Sequence, residues 1–112
     1  MSVPKSVMYT FPNTGRKLEL FYLGVLSKAI KRDPHTVRDW ERKGVLPDCM
    51  FRDKSGKRLY SQDQIDIIAR LIQEEGIRQG QGIAKTNFIK KVHAELDTLK
   101  QEYLTDSRQG LS

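Results

Sequence analysis

Residues 31–47, KRDPHTVRDWERKGVLP, hold a helix whose two ends are written into the sequence. Asp33 carries the short acceptor side chain that caps a helix start. Pro34 suits the first helical position, where a missing N–H costs no hydrogen bond. Gly44 can take the left-handed conformation that stops a helix, and Pro47 follows it. The helix is thereby confined to residues 34–43. Within it Val37 and Trp40 stand three apart and define the buried side, so His35, Thr36, Arg38, Asp39 and Arg42 lie largely exposed. An inward Trp needs a partner, and one precedes it directly. In LGVLSKAI, residues 23–30, Leu23, Leu26 and Ile30 recur at helical spacing, and Ala29 is small enough for close packing. Three residues, KRD, connect the two helices by a tight turn.

Two hairpins flank this pair. In VMYTFPNTGRKLELFY, residues 7–22, Tyr9 and Phe11 alternate before PNTG, and Leu18 and Leu20 alternate after it. In MFRDKSGKRLY, residues 50–60, Asp53, Ser55 and Gly56 supply the turn, and the tip carries Arg52, Lys54, Lys57 and Arg58. Ser61 and Gln64 fit a capping box, so a third helix starts there and runs to about residue 75 on a face of Ile65, Ile68 and Ile72. GIRQGQG, residues 76–82, reads as a loop and lacks the spacing of a phosphate cradle. A last helix is expected over residues 84–105, with Phe88, Val92, Leu96, Leu99 and Tyr103 on one stripe. The expected divisions are a hairpin extension at 1–22, a core unit at 23–75, a Gly-rich loop at 76–83, the helix at 84–105, and a frayed tail at 106–112.

The chain is 112 residues long, enough for one domain, with a net charge of +6. The excess is local: residues 21–60 carry ten basic and five acidic side chains. That is the footprint of a polyanion binder. Cys49 is the single cysteine, and the two histidines, His35 and His93, are far apart, so neither a disulfide nor a zinc site is expected. No nucleophile–base pattern appears, which argues against an enzyme, and no cofactor is implied. No apolar run approaches a membrane span and the N-terminus lacks a secretion signal, so a cytoplasmic location is expected. The aromatic residues, 8% of the chain, are scattered in core-like positions rather than gathered as a stacking surface for single strands.

Helix, tight turn, charged helix and basic hairpin together make the plan of a winged helix-turn-helix, mainly α with small β-hairpins, here followed by a C-terminal amphipathic helix. A helix fits the major groove of B-DNA, and a neighbouring hairpin can lay cations along phosphates. The stretch FYLGVLSKAIKRDPHTVRDWERKGVLP with RLYSQDQI resembles the MerR-like and phage excisionase-like winged helix-turn-helix family over residues 21–75. The match lies in the YLGVLSKAI lead-in, in the cap-Pro-Thr-aliphatic-Arg-aromatic-Glu order closing on Gly-aliphatic-Leu-Pro, and in KRLYS. The resemblance implies base-edge or phosphate contacts for Arg38, and phosphate contacts for Arg58 and Tyr60. Arg38 also suits guanine on chemical grounds, since a guanidinium meets O6 and N7 together. Lys31, Arg32, His35, Thr36, Arg42, Arg52, Lys54 and Lys57 complete the expected DNA surface. Asp39 can accept from cytosine or orient Arg42 or Lys43; local pairing is favoured. Full-length MerR regulators sense metals or drugs through further C-terminal elements; effector sensing here stays open.

These residues imply a sequence-specific double-stranded DNA-binding protein, a transcriptional regulator of a phage or mobile element. An architectural role, excisionase-like or small-terminase-like, is the alternative within the same chemistry. An adaptor that binds a host or phage protein through the C-terminal helix is the alternative outside it. The stripe from Phe88 to Tyr103 either folds back on the domain or pairs with a second copy; a homodimer is favoured, because a three-helix unit has little surface to cover five turns.

Overall fold

The computed structural model describes residues 6–12, 14–77 and 87–108. Over these residues the chain forms, in order, β1 (Ser6–Thr10), β2 (Lys17–Tyr22), α1 (Leu23–Ile30), α2 (Pro34–Arg42), β3 (Phe51–Arg52), β4 (Arg58–Ser61), α3 (Gln62–Glu74) and α4 (Phe88–Arg108). This is a winged helix-turn-helix followed by a C-terminal helix. The local signals act where the sequence places them. Asp33 caps α2 by accepting the His35 N–H at 2.8 Å. Ser61 and Gln64 form the reciprocal capping box of α3. Gly44 sits at φ +80°, a conformation open to glycine at little cost, and α2 ends there.

The two hairpins are not separate. They join in one antiparallel sheet of order β1-β2-β4-β3, with Leu20 opposite Ser61 and Tyr22 opposite Leu59. The N-terminal hairpin, expected as an extension, is thus continuous with the wing. Side chains alternate across a strand, so the sheet has two apolar faces. Phe21 and Tyr60 meet the helices in a core with Leu26, Val37, Trp40, Ile65, Ile68 and Leu71. Leu20 and Leu59 point the other way, into a second cluster with Phe11 and Phe51.

The stripe of α4 covers both. Phe88, Val92 and Leu96 enter the helical core, with the Phe88 ring centroid 5.8 Å from that of Trp40. Leu99 and Tyr103 close the second cluster, and the Tyr103 hydroxyl lies 2.6 Å from Ser61 Oγ. All five residues are buried within one chain. This corrects the expected dimer interface at Phe88, Val92, Leu96, Leu99 and Tyr103. The physical reason is the joined sheet, whose second apolar face supplies the surface that three helices lack. Polar ties reinforce the docking: Arg70 on α3 pairs with Glu74 and with Glu95 on α4, and Lys91 Nζ reaches Glu75 at 2.8 Å.

The helix limits also differ from expectation. α4 is described from Phe88, preceded by Asn87, whose N–H donates to the Glu75 carboxylate at 2.8 Å and whose carbonyl accepts the Lys91 N–H. Residues 84–86 lie outside the described residues, as do Gly80 and Gly82 of the Gly-rich loop. At the other end α4 runs to Arg108, so the first part of the expected tail is helical; residues 109–112 lie outside the described residues.

Truncating the stripe should act on a single chain. Phe88→Ala should lower the free energy of unfolding by ~3–5 kcal/mol in a urea titration. The wild-type midpoint should not move with protein concentration. A midpoint that climbs with concentration would return the stripe to a place between subunits.

Candidate nucleic-acid interface

α2 owes its orientation to Val37 and Trp40, both buried against α1 and the core. The rest of its surface is turned away from them. His35, Arg38 and Arg42 are exposed, and Thr36 and Asp39 are half-buried. Arg38 has no hydrogen bond or ion pair among the described residues, which leaves its whole guanidinium open. Asp39 is engaged by Arg42 and, at 2.9 Å, by Lys43. The hydrogen bond from Lys43, followed by that from Arg42, holds the Asp39 carboxyl below its ordinary range. In the folded chain Asp39 is thus paired locally, the arrangement that the favoured sequence reading expects.

The wing is locked to α2 by one carboxylate. Glu41 Oε2 accepts from Arg58 Nε at 2.7 Å, and Glu41 Oε1 accepts from Arg52 Nη2 at 3.1 Å. The Glu41 side chain is only 8% exposed. The same bond keeps the Arg58 guanidinium more firmly protonated than usual. Arg52 also donates to the Gly56 carbonyl at 2.9 Å, so it braces the hairpin tip from within.

Asp53 organises that tip. One carboxylate oxygen accepts the N–H groups of Ser55 and Lys57 and the Ser55 hydroxyl, each at 2.9 Å. The other accepts the Tyr22 hydroxyl at 3.0 Å. These bonds, the Lys57 amide foremost, lower the Asp53 pKa. Gly56 supplies the left-handed residue of the turn at φ +85°. What remains outward is Lys54 and Lys57, both exposed, with no side-chain partner among the described residues.

Three expected contacts are redirected by the fold. Tyr60 is 6% exposed and its hydroxyl is enclosed, so it does not face a phosphate. The reason is strand parity, since Tyr60 falls on the face of β4 that meets the helices. Arg32 turns back to the chain, donating to the carbonyls of Ile30, Lys31 and Ile77 at 3.2, 3.3 and 3.0 Å. It ties the turn before α2 to the segment after α3. Arg58 is committed to Glu41; Arg52 shares that partner but stays exposed. Lys31 is exposed in the left-handed region at φ 56°, closing α1.

A family model for MerR HTH family regulatory proteins matches residues 22–75. That segment is a MerR-family helix-turn-helix domain. A comparison with curated proteins and one with solved structures gave no match. The MerR family is a family of DNA-binding regulators, so the exposed side of α2 and the wing lie on a DNA-binding unit. The matched segment begins at Tyr22 and ends at Glu75; most of the N-terminal hairpin and all of α4 lie beyond it.

Two residues that support the MerR-type unit escaped the sequence reading. Glu41 stands in the sequence as the Glu of the motif that carries the family resemblance, but nothing there names its partners. His93, weighed in the sequence only as a metal ligand, donates from Nε2 to the Gly44 carbonyl at 2.8 Å. It thereby holds the last turn of α2 from behind. No helix of the described residues is long and apolar enough to cross a membrane.

Loss of the clasp should be felt in stability before any ligand is present. Glu41→Ala should cost roughly 1–3 kcal/mol, because it strands two arginines that have no other carboxylate. Equal stability of the variant and the parent in urea would rule the clasp out as a support.

The Asp53 network should respond to acid. Its carboxyl is lowered on folding, so its contribution is complete above the unfolded-state value of about 3.9 and is lost as pH falls through the lower folded value. The amide protons of Ser55 and Lys57 should therefore keep their shifts at pH 5 and move upfield together only in the acid range below that unfolded-state value. A transition above pH 5 would exclude Asp53 as the group responsible.

Proposed function

We propose that this protein is a sequence-specific double-stranded DNA-binding regulator in which α2 enters the major groove and the wing rests on the adjacent backbone. The observation that carries this reading is the Glu41 clasp. It fixes the hairpin that bears Lys54 and Lys57 beside the helix that bears Arg38, and leaves those three cations without internal partners among the described residues. Arg38 is the base-reading side chain, with His35 and Thr36 near the helix start and Arg42 near its end. Lys54 and Lys57, with the exposed edge of Arg52, hold phosphates, and Lys31 approaches the same strand. Arg32, Arg58 and Tyr60 shape the surface without touching DNA. The setting in a phage or mobile element rests on sequence resemblance alone.

Pairing of two copies through the α4 stripe is not open to the folded chain, because that stripe is already covered. One small module buries little surface on DNA, so tight specific binding calls for neighbouring sites or another contact surface.

The division of labour can be measured by fluorescence anisotropy with a duplex from upstream of the protein's own gene and a scrambled duplex, across a salt series. Arg38→Ala should narrow the gap between the two duplexes by the ~1–3 kcal/mol of one bidentate pair. Lys57→Ala should weaken both alike and reduce the slope of log K against log salt by about one. Equal effects of both variants on both duplexes would overturn the assignment.

A further inference from the structure

β1 is an edge strand, and the bonds of its hairpin decide which of its backbone groups are free. The Phe11 N–H donates to the Arg16 carbonyl at 2.8 Å, and in the same register Tyr9 faces Leu18 and Val7 faces Leu20. Bonded pairs alternate with non-bonded ones along an antiparallel ladder, so Val7, Tyr9 and Phe11 turn their backbone groups to β2. Ser6, Met8 and Thr10 turn theirs outward, to a side where no described strand lies. Such an edge is a template for another strand unless a charge, a proline or a bulge blunts it. β1 reads SVMYT in an unbroken register and has none of the three. The opposite edge is different: β3 is two residues long and carries Arg52. Among the described residues, Met8 at the centre of β1 is the one large apolar side chain left exposed, at 60%.

The strand that fits this edge best is β1 itself. We propose that two copies of the chain pair antiparallel through β1, about a two-fold axis at Met8. Ser6 then faces the partner's Thr10, Met8 faces the partner's Met8, and Thr10 faces the partner's Ser6. All the outward N–H and C=O groups of the strand find acceptors and donors in this one register. On the other face of the strand Val7 stands opposite the partner's Tyr9, a β-branched–aromatic pair of the kind that stabilises sheets. Val7 and Tyr9 already pack against the cluster of Phe11, Leu20, Phe51 and Leu59, so that apolar face continues across the axis. No charged side chain lies on β1, and Glu19 beside Met8 on β2 comes no nearer to the partner's Glu19 than three strand spacings. That is about 14 Å, beyond the screening length at 0.1 M salt. Pairing uses the long edge of each copy and leaves only the short charged one, so the assembly closes at two.

The test uses the full chain without DNA, so its failure leaves the DNA-binding reading untouched. Sedimentation equilibrium up to about 1 mM should show a monomer–dimer equilibrium with a Kd of about 0.1–1 mM. Five residues a side fall short of the ~20–30 of a standard interface, so the dimer comes apart at the micromolar concentrations of a urea titration. In a mixture of isotope-labelled and unlabelled chains, filtered NMR should record contacts between the Val7 methyls of one chain and the Tyr9 ring of the other. Met8→Lys sets two ammonium groups face to face at the axis and should weaken dimerisation by about tenfold or more. Met8→Pro removes an outward N–H and spares the Val7 and Tyr9 bonds to β2, and it should weaken dimerisation likewise. A chain that stays monomeric at the highest concentration would overturn the proposal. So would a dimer that both folded variants leave intact, or one whose filtered contacts lie elsewhere on the surface. Those contacts are read on the parent chain, so they decide the matter even where a variant fails to fold.

Discussion

The Glu41 carboxylate is the joint on which the candidate interface turns. It is almost wholly removed from water, which is costly for a charge unless its oxygens are paired. Arg52 and Arg58 pair both oxygens, and the three residues come from three different elements: α2, β3 and β4. Helix and wing are thereby set as one body. The pairing also sorts the charges. Arg32, Arg52 and Arg58 belong to the basic excess of residues 21–60, yet each is engaged with a carbonyl or carboxylate of the chain. The cations left outward are fewer than composition suggests, and their positions are better defined.

The same economy governs the apolar side. A helix pair and a wing would leave the sheet with one uncovered face. Joining the N-terminal hairpin to β4 widens that face, and α4 then spans both clusters, from Phe88 beside Trp40 to Tyr103 beside Phe51. One 21-residue helix thus supports the recognition helix at one end and the wing sheet at the other. The stripe that looked like an interface between molecules is an interface within one.

What was legible in the sequence was local. Asp33-Pro34, Gly44 and the Ser61–Gln64 pair act within one helical turn, so their chemistry fixes the element ends wherever the chain goes. Val37 and Trp40 likewise define the inner side of α2 by spacing alone, and through it the exposure of Arg38. The residues whose surroundings the sequence does not reveal are those whose fate is decided across the fold. Tyr60 and Arg58 are two apart on a strand and share a face; the helical core claims one and Glu41 the other, and neither partner is near in sequence. Arg32 finds the Ile77 carbonyl forty-five residues away. The covering of the α4 stripe depends on β2 choosing β4, a pairing that no turn signal announces.

These supports converge on α2 from three directions. Asp33 fixes its first turn, Glu41 its flank, and His93 its last turn through the Gly44 carbonyl. Side chains and loops that must be ordered on binding subtract from affinity, whereas a helix held before contact does not incur that loss. On the proposed reading, the protein places rigidity in the backbone of the reader and freedom in three long side chains, Arg38, Lys54 and Lys57. Discrimination between base pairs then rests on whether Arg38 finds its acceptors at a fixed helix position. A loosened helix would let the same guanidinium settle on a nearby phosphate, and attraction without sequence preference would remain. Specificity in so small a domain therefore depends as much on Glu41 and His93, which need not meet the DNA, as on the arginine that does.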